Sequence, residues 1–196
     1  WTVETDLLPC LVEMTERGIR VDVDQAERTK QELMRREKLV RKRIKEIAGK
    51  EVEIWAGASI AKAFDAASIP YPKTEKGSPS FTKKFLEDHP AELAQRIVEA
   101  RNLNKIQGTF IDSILRFVAT DGRVHGHINQ LRSEGGGAVS GRLSMNNPNL
   151  QQIPARDPEL GPMIRRLFLP EEGEQWAAVD FSQQEPRILV HYAHAE

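Results

Sequence analysis

Trp176-Ala177-Ala178-Val179-Asp180-Phe181-Ser182-Gln183-Gln184-Glu185-Pro186-Arg187 is the stretch on which the reading of this 196-residue chain turns. The apolar run Trp176–Val179 predicts a buried strand that delivers one carboxylate, Asp180, to a turn. A helix should follow, and Pro186 suits its first turn, where a backbone N–H would lack a partner anyway. About thirty residues upstream lies Ser140-Gly141-Arg142-Leu143-Ser144. Pro148-Asn149-Leu150-Gln151-Gln152-Ile153-Pro154 and Ile164-Arg165-Arg166-Leu167-Phe168 come between. Each block is weak alone, and their order and spacing give them force.

The bulk composition sets the frame. Hydrophobic residues make up 39% of the chain, enough for a core in one domain or two small ones. The formal net charge is −1, so the total does not announce nucleic acid. The distribution does. Between Arg28 and Lys45 nine Lys or Arg face only Glu32 and Glu37, a local balance of +7 that leaves the remainder acidic. Arg35, Lys38, Lys42 and Lys45 fall at helical steps of three and four, hence on one face. A solvated helix surface is the commoner fate of such a run, and a phosphate-binding face is the alternative. The single Cys10 excludes an internal disulfide and fits a reducing, cytoplasmic compartment. No apolar run reaches the roughly 20 residues of a membrane span, and the start has no signal-peptide pattern. The first residue is Trp1, which suggests a piece of something longer.

Punctuation along the chain predicts the elements. Glu4–Arg17 reads as a helix with Leu7, Leu8, Leu11, Val12 and Met14 inward, stopped by Gly18. Ile19–Asp22 is a short extended segment, and Asp22 or Asp24 caps a helix running to about Ala48 with Leu33, Val40, Ile44 and Ile47 inside. A cap is the better reading of those aspartates than a metal pair. Ala58–Ala67 is a short helix, Pro70–Pro79 a loop, and Thr82 a cap for another short helix to Asp88. A long helix from about Ala91 to Phe117 should bury Leu93, Ile97, Ala100, Leu103, Ile106, Phe110, Ile111 and Leu115. After the Asp121-Gly122 turn, Val124, Gly126 and Ile128 alternate with polar residues as in a strand. Gly135–Gly137 lacks the lysine and helix of a P-loop and reads as a flexible turn. His191 and His194 are spaced as a metal pair, but no third ligand is apparent, so packing or exposure is favoured. The fold class is therefore α+β, a helical first half and an α/β second half.

Together the C-terminal blocks resemble the palm entry and first catalytic motif of the family A DNA polymerases, the DNA polymerase I group, most closely those of bacteriophages. Arg101-Asn102-Leu103-Asn104-Lys105-Ile106-Gln107-Gly108-Thr109-Phe110-Ile111-Asp112 is similar to the family's long thumb-to-palm helix. The resemblance implies nucleotidyl transfer from dNTP to a primer 3′-OH through two Mg²⁺ ions, with hard oxygen ligands. Asp180 would be the catalytic metal ligand, joined by the Phe181 carbonyl. Gln183, Gln184, Glu185 and Arg165 would lie near the nucleotide, Glu185 excluding a 2′-hydroxyl. Arg142, Asn149 and Gln151 would approach the primer–template duplex. Arg101, Lys105 and Thr109, at steps of four, would follow its backbone beside Arg35, Lys38, Lys42 and Lys45. The sequence departs from the family at Gln152, Met145 and Pro186.

The resemblance divides the chain into a base at residues 1–22, a thumb at 23–108 and the first part of a palm at 109–196. It implies a fragment, inactive alone, of a cytoplasmic DNA polymerase from a bacterial or phage-infected cell. No counterpart appears of the fingers helix, the second catalytic aspartate or a proofreading site. The remaining palm and fingers would belong to the same or another chain, as in a split polymerase. A stand-alone DNA-binding module that kept the thumb is the rival reading.

Overall fold

A computed structural model describes residues 2–134, 136–153 and 157–194. It is α+β, with a helical arm set on two small antiparallel sheets. Helix α1 (Thr2–Arg17) ends at Gly18, whose φ of 61° admits glycine most easily. A Cβ there would also lie 2.7 Å from the His125 ring, so the close approach demands glycine a second time. The inward face expected of α1 is overturned. Leu11 is its one buried residue among those described, and Leu8, Val12 and Met14 are exposed, because α1 meets only the edge of the sheets.

Strand β1 (Ile19–Val21) is central in its sheet. It pairs antiparallel with β2 (Arg123–Val124) through Ile19–Val124 and with β5 (Phe168–Leu169) through Val21–Phe168. Strands β3 (His127–Asn129) and β4 (Ser144–Asn146) form the second sheet. Arg123 donates from both terminal nitrogens to Glu171, at 2.7 and 2.9 Å, and locks β2 to the turn after β5. This fork holds the Glu171 carboxyl below the usual carboxylate range.

Helix α2 (Val23–Ala48) is capped by Asp22, which accepts from the Gln25 amide at 2.8 Å, so the choice between two aspartates falls to the first. Its buried stripe of Ala26, Leu33, Val40 and Ile44 packs against Leu93, Ile97, Ala100 and Leu103 of α5 (Glu92–Ile106). Between them come α3 (Gly57–Ala66) and α4 (Lys83–Asp88), the latter capped by Thr82. Phe64 of α3 is fully buried and meets Phe81 edge-on at 5.0 Å.

The long helix expected to Phe117 is interrupted. Gln107–Ile111 forms a π-helical turn before α6 (Asp112–Phe117). Ile114, three and four residues beyond the buried Ile111 and Phe110, lies in the core, and Leu115 is only half-buried. Lys30 of α2 meets Asp112 at 2.7 Å just beyond the turn. Glu159, ahead of α7 (Leu160–Arg165), is tied to Arg36 of α2.

The buried strand expected at Trp176–Val179 is also overturned. These residues are irregular and exposed, Val179 to 93%. A strand needs a ladder partner and a covering layer, and among the described residues this run has neither. One tie holds it: the Trp176 indole N–H donates to the Phe168 carbonyl at 3.2 Å. The expected helix does form, as α8 (Gln184–Ala193), with Ile188, Leu189, Val190 and Tyr192 exposed. His191 and His194 are exposed as well, and Cys10 is a free, exposed thiol.

The joint between α1 and β2 is pH-sensitive. His125 Nδ1 lies 2.8 Å from the Thr15 carbonyl and Nε2 lies 3.1 Å from the Asp121 carboxylate. Both partners only accept, so imidazolium alone satisfies both, and its pKa is raised above 6.5, first by the Thr15 carbonyl and then by Asp121. A raised folded-state pKa means stability that is complete below the unfolded value and lost as pH rises through the folded one. Thermal midpoints should therefore fall as pH rises from about 6.5, and in His125→Gln that slope should flatten. Melting followed by circular dichroism across this range checks it.

Candidate nucleic-acid interface

Nine cations lie on α2 between Arg28 and Lys45, and the structure sorts them. Lys30, Arg36, Arg41, Arg43 and Lys45 are each in an ion pair, Lys45 with Glu51 at 2.6 Å and Arg43 with Glu92 of α5 at 2.8 Å. Arg28, Arg35, Lys38 and Lys42 are exposed, and no salt bridge engages them among the described residues. Their steps of seven, three and four put them on one face, about 21 Å long at the α-helical rise. Lys45 thus leaves the expected stripe and Arg28 joins it.

The face expected along α5 comes apart. Arg101 turns inward: its Nε donates to the Ile54 carbonyl at 2.7 Å and its Nη1 to the Phe81 carbonyl at 3.3 Å. Burial pushes the guanidinium below its ordinary pKa. Lys105 is exposed. Thr109 is exposed in the π-helical turn and borders a crevice with Asn149 and Leu150. Beside Arg101 runs a network that sequence reasoning missed. Arg41 donates to the buried Glu37 at 2.7 Å, and so does Asn104 Nδ2 at 3.3 Å. Asn104 Oδ1 accepts from the Trp55 indole at 3.1 Å, and Arg101 lies 5.1 Å from the centre of that ring. Apart from the i,i+4 pair of Glu37 and Arg41, these partners are far apart in sequence, and no local pattern signals them.

The second group gathers where the loop after β3 meets α8. Arg142 forms an ion pair with Glu185 in the first turn of α8, and both side chains are more than 70% exposed. Gln151 Nε2 donates to the Leu143 carbonyl at 3.2 Å, fixing the loop that carries Arg142. Asn149 Oδ1 accepts from the Gln151 amide at 3.1 Å and caps a short 3₁₀ turn at Leu150–Gln152. Gln183 stands at φ 54° immediately before α8. Asp180, Phe181 and Gln184 are exposed, as is Arg165 on α7. Among the described residues no three His, Cys, Asp or Glu side chains are grouped to hold a metal ion. Asp180 offers one exposed carboxylate. Gly137, at φ 106°, closes the loop back: a Cβ would fall 2.4 Å from the Leu131 carbonyl. Gly135 and Pro154 lie outside the described residues. A hollow of about 320 Å³ between α1 and the sheets is lined by Met14, Ile128, Met145 and Trp176. None of the expected site residues lines it, so it is not the reacting site.

The chain thus carries a basic helical arm set on small sheets, followed by an arginine loop and a carboxylate-bearing turn. The sequence profile of DNA polymerase family A matches residues 23–196. The chain belongs to that family. It is 41% identical to a DNA-directed DNA polymerase of Pseudomonas phage M6, over 98% of this chain and 30% of the relative. It is 34% identical to DNA polymerase I of Bacillus subtilis, over 99% of this chain and 22% of the relative. The POL domain of Pol1 from M. smegmatis, solved with DNA primer-template and dNTP, superposes with a TM-score of 0.70 at 30% identity. That match covers 83% of this chain and 28% of the other. The chain thus spans about a third or less of the length of these relatives. No described helix is long and apolar enough to cross a membrane.

The inward turn of Arg101 is testable. Arg101→Lys keeps the charge but loses the fork that reaches two carbonyls, and should cost about 1–3 kcal/mol of stability. Urea denaturation checks this. A side chain serving only phosphate would leave stability unchanged.

Proposed function

We propose that the chain is the thumb, residues 23–108, and the first part of the palm, residues 109–196, of a template-directed DNA polymerase, with residues 1–22 at their base. The observation that carries the reading is the Arg142–Glu185 pair. It brings two motifs, 43 residues apart, to one place in a chain of this family. In the complete enzyme Arg142 would leave that pair for the minor groove of the primer–template, where a guanidinium reaches acceptors common to all base pairs. Glu185, released, would border the sugar of the incoming dNTP, with Gln183, Gln184 and Arg165 toward its phosphates. Asn149 and Gln151 would support the arginine loop at the primer strand. Arg28, Arg35, Lys38 and Lys42, with Lys105, would follow the duplex backbone.

The family's chemistry is nucleotidyl transfer assisted by two Mg²⁺ ions. Asp180 and the Phe181 carbonyl are what this chain would contribute to that centre. The exposed Trp176–Val179 run and the apolar residues of α8 support a partner surface there, for which the remaining palm and fingers, in the same or another chain, are the natural cover.

Two outcomes follow. Binding to labelled primer–template should weaken steeply with salt as counterions are released, and changing Arg28, Arg35, Lys38 and Lys42 together to Glu should reduce the log–log salt slope by about 3–4. A salt-independent affinity would overturn the interface. The purified chain should show no Mg²⁺-dependent primer extension, since one carboxylate cannot hold two divalent ions. Extension that vanishes in Asp180→Asn would show that the catalytic set is complete within it.

A further inference from the structure

Trp55 lies in the loop between α2 and α3, and 58% of its surface is exposed although it is the largest side chain in the arm. It is nevertheless fixed. Its N–H is held by Asn104, and one face of the ring is met by Arg101, which two carbonyls pin in turn. A ring covered on both faces could not remain so exposed, so the face away from Arg101 is open. Ordering of this side chain is complete before any ligand arrives, and binding there costs little rotamer entropy.

The ring and the Arg101 guanidinium that meets it both border a hollow of about 170 Å³, with Leu86, Val98 and Asn102 in its wall and Lys83 and Lys105 among its lining residues. No carboxylate lines it. Lys83 keeps an exposed pairing with Glu87 at 3.4 Å, which a phosphate can displace, and Lys105 has no salt bridge among the described residues. The volume is below the roughly 300–1,000 Å³ of pockets that enclose whole drug-sized ligands, so it suits one planar ring. A flat apolar group flanked by negative charge is the complement of these walls.

We propose that this hollow is a seat for one unpaired nucleobase of single-stranded DNA, stacked against the paired planes of Trp55 and Arg101 with its flanking phosphates on Lys83 and Lys105. Stacking on an aromatic side chain accepts any base, because every base has a π-face, and the lysines add affinity without sequence preference. Duplex binding along the α2 stripe shares only Lys105 with this seat, since paired bases are not free to stack. The inference rests on the reading of the arm as a DNA-binding surface and is independent of catalysis.

The test uses the 196-residue chain and two strands of equal length and charge, an oligothymidylate and its abasic counterpart, with primer–template duplex in parallel. The base-bearing strand should bind roughly 5- to 100-fold more tightly than the abasic one, the range expected for one stacked base. Trp55→Ala should abolish that preference and leave duplex affinity within about twofold; Trp55→Phe, which keeps a ring, should retain most of it. Unchanged thermal melting of both variants shows that they are folded. Equal binding of the two strands by the unmodified chain, or a preference that survives Trp55→Ala, overturns the seat. Displacement of the strand by oligoglutamate without any base preference also overturns it and points to an acidic peptide. If duplex binding holds while the preference is absent, only the seat falls; if duplex binding fails too, the DNA-binding reading falls with it.

Discussion

Three residues, Ile19–Val21, hold this molecule together. As the central strand, β1 takes β2 on one edge and β5 on the other, joining segments more than 100 residues apart in sequence. The helical arm leaves from one end of β1 and its last helix returns into β2, so the arm's direction is set by a ladder of few hydrogen bonds. So short a ladder is weak alone, and polar locks reinforce it. The Asp22 amide donates to the Leu167 carbonyl, and Arg123 clamps Glu171. Pairing β5 in the same sheet fixes where the chain runs on toward Asp180.

Within the arm, Glu37 is a carboxylate buried on the α2 face that meets α5. A carboxylate in that position must be compensated, and Arg41 and Asn104 do so. Asn104 then has an acceptor to spare, which orients Trp55, while Arg101 closes the circuit from the other side. A need created by burial in the core thus ends by presenting an exposed, immobile aromatic ring at the surface. The same sorting acts on charge: cations near a carboxylate become struts between helices, and the four left over form one continuous face.

The C-terminal segment follows the opposite logic. Its apolar residues are not covered, and among the described residues the Arg142–Glu185 ion pair is what draws the loop and the start of α8 together. That pair is exposed, and so readily exchanged for other partners.

Local rules settled much of this protein from the sequence. Asp22 and Thr82 cap helices, Gly18 and Gly122 make turns, and the 3.6-residue period of Leu33, Val40 and Ile44 marks a buried stripe, because each effect reaches only a few residues along the chain. The blocks around Arg142 and Asp180 identified the family for the same reason. Tertiary structure alone decided what a side chain faces. It turned Arg101 inward, tied Lys45 to Glu51 while leaving Arg28 on the open stripe, and left Trp176–Val179 uncovered. The first outcome hangs on Ile54 and Phe81, many residues distant, and the last on a covering layer not found among the described residues, and neither has any signature at the position itself.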